Sequence, residues 1–196
     1  MGCKMVDDII IPTQLWNSEF RFLKLRKKGK EPNYDMKEWQ KYNYKYNNTE
    51  LLNHLINGGN YAIIGGYANL ILIDADSKEI SELAENMPTT FTVKTGSPEE
   101  YKKHYFFITD KPMKAIRLSK EHIGDLGDIR SIGQYVVAPN SIHPSGNKYH
   151  VIKDVPITEV TEAFVRSIFN KYIDRNESTE IKSFELRIKV YSLSTD

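Results

Sequence analysis

A single cysteine, Cys3, occurs in the 196 residues. With no second thiol in the chain, an internal disulfide framework and a cysteine-rich zinc site are both excluded, and no zinc is expected. Long apolar runs are also missing: nothing approaches the roughly 20 residues that span a bilayer. Met1-Gly2-Cys3 has the look of a lipidation start, but Val6 stands where Ser or Thr is expected, and no apolar leader precedes Cys3. The chain therefore reads as cytoplasmic, with no membrane partner. Charge of one sign is lacking too. Lys and Arg number 27 against 26 Asp and Glu, a net charge of +1. A general basic field for nucleic acid is thus absent, and any such binding must use a local patch.

One such patch is present. Arg21, Lys24, Arg26, Lys27, Lys28 and Lys30 fall within ten residues that contain no acid. A solvated face and a polyanion contact both account for it. A hydrophobic fraction of 40% and a charged fraction of 27% describe an ordinary globular chain, long enough for one sizeable core.

Periodicity and turn residues lay out the elements. Residues 19–25 alternate as a strand ended by the turn from Lys27 to Pro32, and Asp35 is expected to cap a short helix carrying Met36 and Trp39. Thr49 opens a helix with Leu51, Leu52, Leu55 and Ile56 on one face, stopped by Gly58-Gly59. Strands follow at 61–64 and 71–74, then a helix capped by Ser77 and closed by Pro88. Residues 91–95 and 104–108 read as strands, and 127–131 with 134–138 as a further pair turned at Gly133. A strand at 149–152 and a helix from Thr158 to about Tyr172 complete the body. Residues 174–180 are polar, and 184–193 are ambiguous between strand and helix. Strand pairs outnumber βαβ alternation, so the fold class is α+β, a mixed or antiparallel sheet with flanking helices.

The chemistry concentrates at strand ends. In Leu70-Ile-Leu-Ile-Asp-Ala-Asp76, an apolar β-branched run ends in two carboxylates. Asp74 and Asp76 point to one face because side chains alternate along a strand. Like charges that close repel, and the usual compensation is a divalent cation such as Mg²⁺ or Mn²⁺. Asp128 lies at a third strand, and three carboxylates on neighbouring strands suit two ions about 4 Å apart. His104 opens an apolar strand, with Lys102 and Lys103 beside it, where it suits a triphosphate oxygen. Arg130 shares a strand face with Asp128 and suits a phosphate. Each residue alone also has a structural reading: Asp74 and Asp76 as strand end and helix cap, His104 as a half-buried strand residue, Asp128 and Arg130 as an ion pair.

Taken in order, Asp74-Ala-Asp76, His104-Tyr-Phe-Phe and the long segment from Asp128 to Tyr149, which contains Gln134-Tyr-Val-Val-Ala-Pro-Asn-Ser-Ile-His-Pro-Ser-Gly146, resemble the bifunctional primase-polymerase domain. This belongs to the archaeo-eukaryotic primase superfamily of plasmid and viral replication proteins. Lys30-Glu-Pro32 followed by Trp39 fits its N-terminal part, and the resemblance covers about residues 20–152. It implies a primase fold with an RRM-like catalytic unit over residues 1–175, with an N-terminal part to about residue 66 and a metal-binding part from about 67. Residues 176–196 would be a linker or the start of an accessory element. It further implies Asp74, Asp76 and Asp128 as metal ligands, His104 as a triphosphate contact, and Ser141 and His143 as site support or nucleotide contacts. Two departures stand out: Lys102 replaces a small residue two before the histidine, and Gln134 replaces a glycine after Gly133.

The implied activity is template-directed nucleotidyl transfer, as a DNA primase and polymerase using nucleoside triphosphates and a primed single-stranded DNA template. Lys27, Lys28, Lys30 and Trp39, with Tyr42, Tyr44 and Tyr46, are the candidate template contacts. A helicase or helical-bundle domain, fused or in trans, is an expected partner. Two alternatives are a non-catalytic DNA-binding replication protein of the same fold and a metal-dependent glycosyltransferase, which also uses Asp-x-Asp but leaves His104 and Asp128 unexplained.

Overall fold

The computed structural model describes residues 11–33, 39–41, 43–120 and 124–173. Asp35, Met36, Tyr42 and the stretch from residue 174 onward, including the expected linker, lie outside the described residues. In chain order the elements are β1 (Arg21–Leu25), α1 (Thr49–Ile56), β2 (Asn60–Ile64), β3 (Leu70–Ala75), α2 (Lys78–Glu85), β4 (Thr92–Lys94), β5 (Lys103–Thr109), β6 (Ile116–Lys120), β7 (Gly124–Arg130), β8 (Tyr135–Val137), β9 (His150–Lys153), β10 (Thr158–Val160) and α3 (Glu162–Phe169). The fold is α+β. Among the described residues, none of these helices is long and apolar enough to cross a membrane.

Two sheets form. The smaller runs β1-β2-β8; the larger runs β6-β7-β3-β5-β4-β9, with β10 pairing β5 in parallel. Every other pair in either sheet is antiparallel. Alternation along β3 explains the layering. Leu70 and Leu72 face the smaller sheet and join a core with Phe22, Tyr61, Ile63, Val93 and Phe106, to which α1 adds Leu51 and Leu55. Ile71, Ile73 and Ala75 face the other way and pack with Ile80 and Ala84 of α2 and Val165 and Phe169 of α3. Burying Leu72 fully is worth about 2 kcal/mol, and the same alternation carries Asp74 out of the inter-sheet core at its open edge.

Local chemistry sets the helix ends. The Asn48 side chain, rather than Thr49, caps α1 by accepting from the Glu50 and Leu51 N–H groups. Ser77 caps α2 as its sequence predicts. The helix expected from Thr158 starts later. Thr158–Val160 is instead β10, because the Thr158 N–H donates to Thr90 Oγ1 at 3.0 Å and the segment pairs with Phe107–Thr109. Thr161 then caps α3 through the Phe164 N–H.

The strands at 127–131 and 134–138 do not pair with each other. Both edges of β7 are already taken, by β3 and by β6, so β8 crosses to β2 in the smaller sheet. β1 is not half-exposed either: Phe22 to Leu25 are all buried, Lys24 included. Lys24 reaches the Glu50 carboxylate and lies over the Tyr44 ring.

Candidate active site

The acids stand in one row across the larger sheet. Asp74 of β3 pairs in register with His104 of β5 on one side and with Asp128 of β7 on the other. Side chains directly opposite in an antiparallel pair lie on the same face, with Cβ atoms about 5 Å apart. The register that brings Asp128 level needs Gly127: a Cβ there would stand 2.5 Å from the Asp74 carbonyl oxygen, and φ is +154°. Asp76 continues the β3 direction, its N–H donating to the Leu126 carbonyl at 3.1 Å.

Basic side chains close on these acids. Arg130 Nε donates to Asp74 Oδ2 at 2.9 Å, and its Nη2 lies 3.0 Å from Asp128 Oδ2. His104 Nε2 lies 3.3 Å from Asp74 Oδ1, and Lys102 Nζ 3.3 Å from Asp76 Oδ1. The two facing carboxyls are driven apart in acidity. Burial pushes the Asp74 carboxyl up, but His104 and Arg130 overcome this and hold it far below the usual carboxylate range. For Asp128 burial wins: Arg130 pulls its carboxyl down, the Asp74 charge pushes it back up, and the net shift is upward. Burial lowers the Lys102 ammonium, and Asp76 more than restores it.

Through Asp74 and His104 the row borders a cavity of about 570 Å³. Asp74, Asp76 and His104 line its acidic end, whereas Lys30, Lys102 and Arg130 give it cationic walls. Trp39 and Tyr135 meet edge to face at 5.1 Å on another wall, and the Tyr135 hydroxyl donates to the Lys30 carbonyl. Tyr149 fills the space between the two histidines, 5.8 Å from each ring. His104 is buried, and among the described residues its Nδ1 has no hydrogen-bond partner.

Two loops are latched at the cavity edge. The Gly96 carbonyl accepts from Ser145 Oγ at 2.8 Å and from Asn147 Nδ2 at 3.1 Å. The contact is too close for any side chain: a Cβ on Gly96 would lie 2.2 Å from the His143 Cβ. From below, the buried Lys94 donates to the Thr95 and Ser97 carbonyls at 3.0 and 2.7 Å. His143 Nδ1 lies 2.9 Å from Ser145 Oγ and 3.1 Å from the Ser145 N, so the loop engages Nδ1. Burial, then Lys30, Lys102 and Lys94, hold the His143 imidazole below its ordinary value.

The remaining candidates separate. Ser141 is buried outside the cavity lining, its Oγ accepting from the Tyr61 N–H and donating to the Tyr61 carbonyl, so its place is structural support. Lys27 and Lys28 sit exposed on the turn closed by Arg26 N–H to Glu31 O, outside the cavity that Lys30 lines. Arg21 is tied to the Ser18, Glu19 and Phe20 carbonyls, so the basic patch reduces to Arg26, Lys27, Lys28 and Lys30. Tyr135, Tyr149, Lys94 and the Gly96 latch escaped the sequence reading. The turn-forming run Ser145-Gly146-Asn147 is the local signal that marks the latch.

Residues 13–163 match the family described as "Bifunctional DNA primase/polymerase, N-terminal" (Prim-Pol). The chain belongs to the Prim-Pol family. It is accordingly a nucleotidyltransferase of the primase/polymerase type. Among solved structures it is similar to "Cyanophage S-2L Primase-Polymerase (PrimPol), AEP domain", at 10% identity and a TM-score of 0.41, over 78% of this chain and 89% of that one. No curated protein matches it. For the divalent ions that Prim-Pol membership implies, the donor chemistry fits: Asp74 and Asp76 are hard oxygen donors on the cavity lining, and Asp128 stands beside Asp74 in the β3–β7 ladder. Their side chains are turned onto Arg130 and Lys102, and among the described residues no three His, Cys, Asp or Glu side chains converge as a metal cage.

Proposed function

We propose that this Prim-Pol domain extends a DNA primer on a single-stranded template, and starts strands, by two-metal nucleotidyl transfer in replication of the plasmid or viral type. The reading rests on one observation above all: the row His104–Asp74–Asp128 meets, through His104 and Asp74, a cavity whose other walls are cationic and aromatic. Asp74, Asp76 and Asp128 would hold Mg²⁺ or Mn²⁺. Bound there, the ions supply Lewis-acid activation of a primer 3′-hydroxyl and charge neutralisation at the triphosphate.

The chain's own residues do the rest. Lys102 and Lys30 offer ammonium groups to the triphosphate, and His143 offers its imidazole. His104 holds Asp74 through Nε2 and keeps Nδ1 free for a ligand atom. Trp39 and Tyr135 give a nucleobase a sequence-tolerant aromatic wall. Lys27 and Lys28, beside Lys30 on one turn, extend the cationic surface outward for template phosphates, so binding weakens as salt rises. A helicase or helical-bundle partner would raise the local template concentration.

Incorporation of labelled nucleotide on a primed template, with Mg²⁺ or Mn²⁺ and with chelator, tests the proposal. Asp74→Ala and Asp128→Ala are expected to lose at least about a hundredfold in rate. Extension by either variant at the wild-type rate overturns the metal assignment.

A further inference from the structure

We propose that Arg130 is the internal counter-cation of the acid row and must be displaced before Asp74 and Asp128 can share a divalent ion. The inference rests on the metal-binding reading above and adds a competitor to it. Asp74 and Asp128 face each other in a ladder pair, where two like charges repel. One guanidinium bonds both, Nε to Asp74 and Nη2 to Asp128, through Oδ2 in each case, at 2.9 and 3.0 Å. The other Asp74 oxygen faces His104. Both Asp74 oxygens are therefore engaged, and one group, Arg130, holds Oδ2 of each acid.

Arginine suits this post because its planar fork spans two acceptors and it does not deprotonate in the range where enzymes work. It can yield only by moving. Room for that movement is at hand, since Arg130 lines the 570 Å³ cavity and retains 28% of its side-chain exposure. In the cavity the displaced guanidinium would meet the triphosphate. Metal and nucleotide binding are then coupled with positive sign: an anion that draws Arg130 away frees the carboxylates, and by linkage the ion favours the anion equally.

Mn²⁺ binding followed by electron paramagnetic resonance, without substrate, reads this directly. Arg130→Gln is expected to bind Mn²⁺ about tenfold more tightly than wild type, and to keep that gain at 0.5 M salt, because contact competition is little screened. Lys30→Gln removes a cavity charge that touches neither acid, so its smaller gain should disappear at high salt. Unchanged or weaker binding by Arg130→Gln, or a gain lost with salt as for Lys30→Gln, overturns the role of Arg130. Asp74→Asn separates the two levels. If it binds Mn²⁺ as wild type does, the metal-site reading itself fails; if it loses Mn²⁺ while Arg130→Gln shows no gain, only the counter-cation falls. Should Arg130→Gln not fold, Arg130→Lys keeps the charge without the fork, and it is expected to tighten binding by a smaller factor; no tightening overturns the proposal.

Discussion

Asp74 and Asp128 face each other across the β3–β7 ladder, yet their carboxyls shift in opposite directions from the ordinary value. Asp74, only 15% exposed, bonds Arg130 and His104; Asp128, with Arg130 as its close partner, is dominated by burial.

The opposite signs predict opposite effects on stability. An acid held below its unfolded value stabilises the fold above about pH 4, and that contribution is lost as pH falls. Asp74→Asn should therefore cost about 3 kcal/mol at neutral pH, as breaking a buried pair does. The gap to wild type should narrow toward pH 3. An acid held above its unfolded value opposes folding once ionised, so Asp128→Asn should be within about 1 kcal/mol of wild type or better. Urea unfolding at pH 7 and pH 3.5 decides it, and equal losses for the two variants contradict the split.

The Gly96 position tests the loop latch. Gly96→Ala places a methyl where the His143 Cβ and the Asn147 carbonyl already stand, at 2.2 and 2.8 Å. Backbone must shift, at a cost of about 1–3 kcal/mol. The shift moves the cavity residues Thr95, Ser97 and His143 together, so the nucleotide KM should rise several-fold while template affinity stays unchanged. A KM equal to wild type would detach the latch from the nucleotide site.

How far the sequence foretold this arrangement depended on the range of the force involved. The period-2 pattern of Leu70–Ile73 and the spacing of Asp74 and Asp76 are local, and β3 follows them. So do the Ser77 cap and the strand at His104. The pairing of β8 with β2 rather than β7 is long-range: it depends on which edges are already occupied, and no local turn signal carries that. Lys24 likewise sits in an apolar-facing strand where its charge argued for solvent, because Glu50 of α1, 26 residues away, meets it. Lys94, Tyr135 and Tyr149 become site residues only once the sheets are stacked.

Ser141 separates support from ligand contact. Among the described residues its hydroxyl bonds the Tyr61 backbone, at 3.2 Å on both sides, within a buried junction of β2 and the 138–143 segment. Ser141→Ala should lose about 1–2 kcal/mol of stability, the cost of leaving buried backbone groups short of a partner. At a temperature where the variant is folded, its kcat and nucleotide KM should match wild type. A several-fold rise in KM with unchanged stability would return Ser141 to the nucleotide contacts.

His143 supplies the pH-dependent step. It is held below its ordinary value by burial and by Lys30, Lys102 and Lys94, with Glu99 opposing them, so the folded protein takes up its proton less readily than the unfolded chain. For such a group stability is lost as pH falls below the unfolded value of about 6.5. His143→Gln removes that loss, and its melting temperature should gain on wild type between pH 7.5 and 5.5. A bound triphosphate reverses the local field by facing Lys30 and Lys102, the two of these lysines that line the cavity, which favours the imidazolium. Nucleotide binding should then take up a proton, and KM should fall as pH drops through this range in wild type but stay flat in His143→Gln. Parallel pH profiles for the two proteins, in both melting temperature and KM, would place the imidazole outside the phosphate end of the cavity.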